Sequence, residues 1–423
     1  MKSPFAVEKI RARQVFDSRG VPTVEVEAIS GQMMARAIAP AGTSKGRHEA
    51  HDLRDEEKAY LGMGVSKAVK NVNGSISREL QGMNACAQQE VDKALIDLDG
   101  TPQKNKLGAN AMIAVSMAIC KLGAQLQDRT VYEHVSQLTQ SKEKLYKLPM
   151  PLVNVINGGK HAGNQLPVEE ILIEPTKAKS AEHALQITQE IYLTLKQLLA
   201  QKYGPTSVNV GELGGFAIPV SDLNVALDHV MEAAKQLGYE KQIKVGLNVA
   251  ASHIVKKGAY HLGDKTLTHR QLVNFYANLV AQYPISVLID PFSEDDIQGF
   301  QGAVQRIGST HPIVGDDLLV SNPMRMKRVM DLKACNGLDL KINQIGTISE
   351  AMQAYQMAKE AKWTTIVSAR AGESEDSFLA DFAVGLHANY AKFGALSRSE
   401  RVNKYNQLMR IEESLGKKAV FGK

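Results

Sequence analysis

Cysteine is scarce in this chain. Its 423 residues include three, Cys86, Cys120 and Cys335, and none falls in a CxxC or other metal-binding spacing. An odd number of scattered thiols argues against a disulfide framework and fits a reducing compartment. Long apolar runs are missing too. Nothing matches the ~18 consecutive apolar residues of a membrane-spanning helix, and the N-terminal MKSPFAVEKIRARQVF has no unbroken apolar stretch leading to a small-residue cleavage site. The expected location is therefore the cytoplasm, with no membrane partner. Charge of one sign is also lacking: 50 Lys and Arg stand against 45 Asp and Glu, and the formal excess of +5 is not gathered in one arm. Nucleic acid is not an expected partner, and anionic partners are favoured only weakly.

Hydrophobic residues make up 44% and charged residues 22%, with no low-complexity tract, so the chain reads as a fully folded globular protein. Its length admits a small domain plus a barrel of ~250 residues, or two to three medium domains. In VPTVEVEAI (21–29), Val24, Val26 and Ala28 alternate with Thr23, Glu25 and Glu27, the two-residue period of a half-buried strand. MMARAIA (33–39) follows after a short turn and predicts a hairpin or meander. From Glu56 to about Leu126 the apolar residues recur at helical spacing, so strands followed by helices predict a small α+β domain.

Beyond Pro149 and Pro151 the pattern changes again. Short apolar strands (IKVGLN at 243–248, SVLIDP at 286–291, PIVGDD at 312–317, LDLKIN at 338–343, TTIVSAR at 364–370) alternate with amphipathic helical spans. That rhythm predicts parallel βα units closing into a barrel, with the strand ends converging on one reactive face. Asn248, Asp290, Asp316, Lys341 and Arg370 all fall at such ends, which puts them in one pocket. A lysine ending a barrel strand needs a partner or a function, whereas Lys392, before Phe393-Gly394, reads equally as a solvated loop lysine.

The Gly-rich segments AGTSKGRHE (41–49) and NGGKHAGN (157–164) have the small residues that let backbone N–H groups approach an anion. His161 lies in the second and reads equally as a structural histidine. The acidic runs SEDD (293–296) and ESED (373–376) read as helix N-termini.

Together with the 157–164 segment, DSRGVPTVEVE (17–27), YLGMGVSKAVKNVN (60–73), GANAMIAVSMA (108–118), KINQIGT (341–347) and RSERVNKYNQLMRIEE (398–413) resemble the enolase, or phosphopyruvate hydratase, family from end to end. The resemblance implies an α/β chain with an N-terminal α+β cap domain at 1–137 and a TIM-like βα barrel at 145–423. It also implies a cytoplasmic homodimer, with Arg13 and Glu413 at positions that pair between subunits. The implied activity is Mg²⁺-dependent dehydration of 2-phosphoglycerate to phosphoenolpyruvate, a carbon–oxygen lyase step of glycolysis. By position, Lys341 matches the family's general base, Lys392 its carboxylate-binding lysine, Arg370 its phosphate-binding arginine and Ser44 its loop serine near the second metal. His161 and Glu170 match further active-site positions, and Asp316 a metal carboxylate.

Other positions depart from the family pattern. GELGGF (211–216) puts Leu213 where the catalytic glutamate of GDEGGF is expected, Asn248 replaces one metal aspartate, and Ile289 replaces the metal glutamate. Ala369 and Ala371, in SARAGE, replace His and Ser. Mg²⁺ requires a cage of hard oxygen ligands, which asparagine supplies poorly and isoleucine not at all, so Mg²⁺ binding is expected to be weak or absent. Lys45 and Lys160 add positive charge in the two Gly-rich loops. With Lys341, Lys392 and Arg370 they predict a strongly positive pocket for a small phosphorylated or carboxylate anion, in which like charge lowers the pKa of Lys341.

Three functions remain open at this level: an anion-binding homologue with dehydration lost or strongly weakened, an active enolase or related lyase using Lys341 with a weakened or rebuilt metal site, and a structural partner subunit. Glu212 is a poor substitute for the acid missing at Leu213, because neighbouring residues of an extended chain point to opposite sides.

Overall fold

The computed structural model describes residues 4–422. An antiparallel sheet of three strands, Lys9–Phe16, Pro22–Ser30 and Met33–Ile38, opens the chain with the middle strand in the centre. Val24, Val26 and Ala28 are fully buried and face the helix Ala109–Leu126, as the alternation predicts. The other face is not half-exposed. Glu25 and Glu27 are buried because Arg11, Arg13 and Arg36 lie across them, Arg13 and Arg36 each 2.8 Å from Glu27. Long arginine stems cover the carboxylates while the guanidinium groups reach water.

Three further helical segments precede the barrel: Ser66–Leu80, interrupted by one π-helical turn, then Gln88–Asp99 and Val131–Leu138, the last closed by a capping box between Thr130 and Glu133. Ala109–Leu126 is long and apolar enough to cross a membrane, but it is buried on nearly every side inside the protein. A helix apolar all round is a core helix when other elements surround it.

Eight strands close the barrel: Met150–Asn157, Glu170–Glu174, Lys244–Asn248, Ile285–Ile289, Ile313–Gly315, Gly337–Leu340, Thr364–Ser368 and Tyr390–Gly394. The barrel is not wholly parallel. Glu170–Glu174 runs against both neighbours, with Glu170 opposite Asn157 on one side and Asn248 on the other. The cause is the short link 158–169, which holds only one 3₁₀ turn, Gly159–His161. Parallel neighbours are usually joined through a crossover helix, which this link lacks, and the chain reverses instead. That reversal brings the first residue of this strand, Glu170, to the mouth where its neighbours end.

Inside the barrel, Leu152, Leu172, Val287, Ile289, Val314 and Ile366 form an apolar layer below the mouth. The N-terminal unit docks beside it through buried polar contacts. Asp92 accepts from the Ser349 backbone N–H at 2.8 Å and hydroxyl at 2.6 Å, and Lys104 pairs with Glu350 at 2.9 Å. Ala41 and Gly372 exchange two backbone hydrogen bonds, which lays the loop 41–49 across the mouth.

Candidate active site

Asn248, Asp290, Asp316, Lys341 and Arg370 come together at the C-terminal mouth, as the strand-end reading predicts, and Lys392 joins them. Lys392 is not in a loop: it lies within Tyr390–Gly394 and is buried. Its ammonium donates to Glu170 at 2.9 Å, and the same Glu170 oxygen accepts from the Asn248 amide at 2.8 Å. Lys341 donates to Asp316, which also accepts from Gln344 at 2.9 Å. Asp339 lies between the two lysines, 3.5 Å from Lys392 and 3.9 Å from Lys341. It is 0% exposed, and neither of its oxygens has a hydrogen-bond partner among the described residues.

These acids reverse the predicted electrostatics. Burial pulls the Lys341 pKa down, but Asp316 and Asp339 outweigh it and hold the ammonium above its ordinary value rather than below. Burial opposes charge at Lys392 too, but Asp339 and Glu170 outweigh it and hold its pKa above the ordinary value. Burial pushes Asp339 up to about 6 against the pull of Lys392, whereas Glu170 falls below the usual carboxylate range because Lys392 and Asn248 overcome its burial.

Arg370 is equally engaged. Its guanidinium donates to both oxygens of Glu49, at 3.0 and 3.1 Å, to Asn343 at 3.0 Å and to the backbone carbonyl of Ser44 at 3.0 Å. Gly42 packs so closely that a Cβ there would lie 1.9 Å from the guanidinium, so this position needs glycine. Ser44 thus meets the site through its backbone carbonyl. Lys45 does not line the pocket: it is exposed and pairs at 3.0 Å with Asp52, which Arg54 also holds. Lys160 is exposed as well, and its charge acts on His253. Four of the five proposed cations therefore already face a carboxylate, and the pocket is not strongly positive.

His161 is clamped between two acids, with Nε2 3.1 Å from Glu169 and Nδ1 3.0 Å from Glu212. Burial opposes its charge, but Glu169 and Glu212 raise the imidazole to about 9. The other Glu169 oxygen lies 3.4 Å from His253. Glu212 therefore does reach the site, because its backbone N–H is bonded to the His161 carbonyl in a tight turn rather than an extended strand.

Leu213, Ala369 and Ala371 are buried at the mouth, and Ile289 belongs to the apolar layer beneath it. Asp290, with a left-handed φ of 41°, accepts the backbone N–H groups of Asp316 at 2.8 Å and Asp317 at 2.7 Å. Its oxygens, with those of Asp316 and Asp317, lie within 4.8 Å of one another. ESED is only partly a helix start: Glu373 pairs with Lys404 at 3.1 Å and accepts the Arg370 backbone N–H.

Sequence reasoning missed Asp339, Glu49 and Glu169. For Asp339 a signal existed, since a residue two before Lys341 on a strand shares its face.

Comparison with known proteins gives the same architecture a family. The enolase C-terminal TIM barrel domain matches residues 145–423 and the enolase N-terminal domain matches residues 7–135. The enolase of Methanocaldococcus jannaschii is 45% identical over 417 residues, covering 98% of this chain and 97% of that protein. Cap, barrel and mouth thus belong together, and the chain is a member of the enolase family.

Proposed function

We propose that this enolase-family chain keeps a pocket for a small phosphorylated or carboxylate anion, but that Mg²⁺-dependent dehydration of 2-phosphoglycerate is lost or strongly weakened in it. The observation that carries the reading is Ile289, whose side chain completes the apolar layer at a position where the family supplies a metal carboxylate. Asn248 turns its amide N–H toward Glu170, and Asp316 is bonded to Lys341 and Gln344. A divalent ion gains about 8 kcal/mol, before desolvation, from one carboxylate ~4 Å away at an effective dielectric of ~20. Two such partners are missing. Asp290 follows the Ile289 position by one residue, and its oxygens each accept a backbone N–H group, from Asp316 and Asp317. The donor set does not fit Mg²⁺.

In this reading Lys341 and Lys392 hold the ligand carboxylate, displacing Asp316 and Glu170. Arg370 reaches a phosphate only when Glu49 gives way. A homodimer is part of the proposal, although Arg13 is bonded within its own chain to Glu25 and Glu27, so its exchange for Glu413 of a second copy gains little. Sedimentation at micromolar concentration decides this, a pure monomer being the contrary result.

A second reading, a lyase working without the family metal site, draws on His161. The imidazolium between Glu169 and Glu212 is a proton donor beside the position where Leu213 has none. An elimination would need neutral Lys341 to accept the carbon-bound proton while His161 protonates the departing hydroxyl, so Lys341 is first obliged to leave Asp316 and release its own ammonium proton to solvent.

Calorimetry with 2-phosphoglycerate tests the main reading. Comparable binding in excess chelator and in Mg²⁺, without product, is expected. Binding only with Mg²⁺, accompanied by phosphoenolpyruvate, contradicts it.

A further inference from the structure

The charges at the mouth form an alternating row: Asp316, Lys341, Asp339, Lys392, Glu170. The central acid differs from the other two in that neither of its oxygens has a hydrogen-bond partner among the described residues. Asp339 pairs in register with Ile366, while Lys392 pairs with Ser368, two residues nearer the mouth. Lys341 follows Leu340, the partner of Val367 on the same neighbouring strand. Asp339 precedes Lys341 by two residues, so the two side chains share the inner face, and the carboxylate lies between the ammonium groups of Lys392 and Lys341, 3.5 and 3.9 Å away.

On its other side Asp339 meets the apolar layer, while the charges of Asp316 and Glu170 also reach it. Its register partner Ile366 belongs to the aliphatic layer with Val314 and Ile289. A carboxylate fully buried against such a layer stays ionised only with cations at hand, and the two lysines lie within 4 Å of it. Asp316 and Glu170 reach the lysines at the mouth, where an incoming carboxylate competes with them. Asp339 has no such competitor, because a ligand entering from the mouth meets the lysines first.

We propose that Asp339 is a positioning residue that sets Lys341 and Lys392 side by side as a clamp for the carboxylate of a small carboxylic acid, independent of metal. This rests on the anion-pocket reading and deepens it by naming the ligand group and the acid that organises its receptors. When the ligand displaces Asp316 and Glu170, Asp339 remains between the two ammonium groups and keeps them from repelling each other apart. The negative charge absent at Asn248 and Ile289 then has a counterpart that faces lysines rather than a cation.

The test is calorimetry of 2-phosphoglycerate in excess chelator with wild type, Asp339→Asn and Asp339→Leu, alongside thermal melts. Asp339→Asn keeps the shape and removes the charge, and Asp339→Leu matches the surrounding layer. The expected result is at least a tenfold loss of affinity in both variants, with the melting temperature of Asp339→Leu unchanged or raised. Partial recovery of affinity in Asp339→Glu is also expected. A folded Asp339→Asn that binds within twofold of wild type overturns the proposal. So does a loss of affinity that merely tracks lower melting temperatures, or variants that fail to fold, since either makes Asp339 a folding residue. Absence of binding by wild type itself defeats the anion-pocket reading as well, so the two failures are distinguishable.

Discussion

Asn248 and Ile289 are register partners at the C-terminal ends of adjacent parallel strands. Two family metal positions are therefore neighbours in space, and both lack a carboxylate at one corner of the barrel mouth. Restoring a carboxylate at either one alone leaves its neighbour without one, and Asp316 is already bonded to Lys341.

Millimolar Mg²⁺ is accordingly expected to leave the melting temperature unchanged. Ligand that binds the folded state raises stability with the logarithm of its concentration over Kd, so a tight site would show a shift of several degrees. Such a shift, disappearing in Asp316→Ala, would count against the proposed loss of the site.

Glu49→Ala removes the one carboxylate that, among the described residues, is bonded to the guanidinium of the buried Arg370. Breaking one side of a buried ion pair costs about 3–5 kcal/mol because the other charge is left unpaired. Chemical denaturation should show that loss. Sulfate should restore more stability to the variant than to wild type, since it takes the place Glu49 left. A cost below about 1 kcal/mol, in the range of exposed pairs, would mean that the loop does not hold Arg370 in solution.

The clamp on His161 makes stability depend on pH with a definite sign. Its folded pKa of about 9 lies above the ordinary 6.5, so protonated His161 contributes fully below about 6.5, and the contribution is lost as pH rises through about 9. The difference in unfolding free energy between wild type and His161→Gln should shrink by about 3 kcal/mol from about pH 6 to about pH 10. A difference that stays constant across this window would show that the imidazole is neutral between Glu169 and Glu212.

Much of the architecture was legible in the chain. The strand and helix periods located five barrel strands, and polar residues at their ends placed Asp316, Lys341 and Arg370 together. The reversed strand Glu170–Glu174 was not legible, because nothing local in VEEILIEP distinguishes an antiparallel strand from a parallel one. Its direction follows from the short link before it. Lys392 looked like a loop residue because Gly394 follows it, yet that glycine, with φ of 100°, ends the strand. The pocket's sign failed for a similar reason. Cations on strand ends are visible in sequence, whereas their partners Glu49 and Glu170 lie 321 and 222 residues away and pair only in the fold.

The central claim is that Leu213, Asn248 and Ile289 remove the family reaction, and turnover tests it most directly. Purified protein and the variant carrying Leu213→Glu, Asn248→Asp and Ile289→Glu are compared on 2-phosphoglycerate with saturating Mg²⁺, following phosphoenolpyruvate. Loss of one such electrostatic contributor commonly lowers kcat by about 10²–10³. The account predicts little or no product from wild type and a gain of at least that factor in the variant. Equal, high rates in both would contradict it.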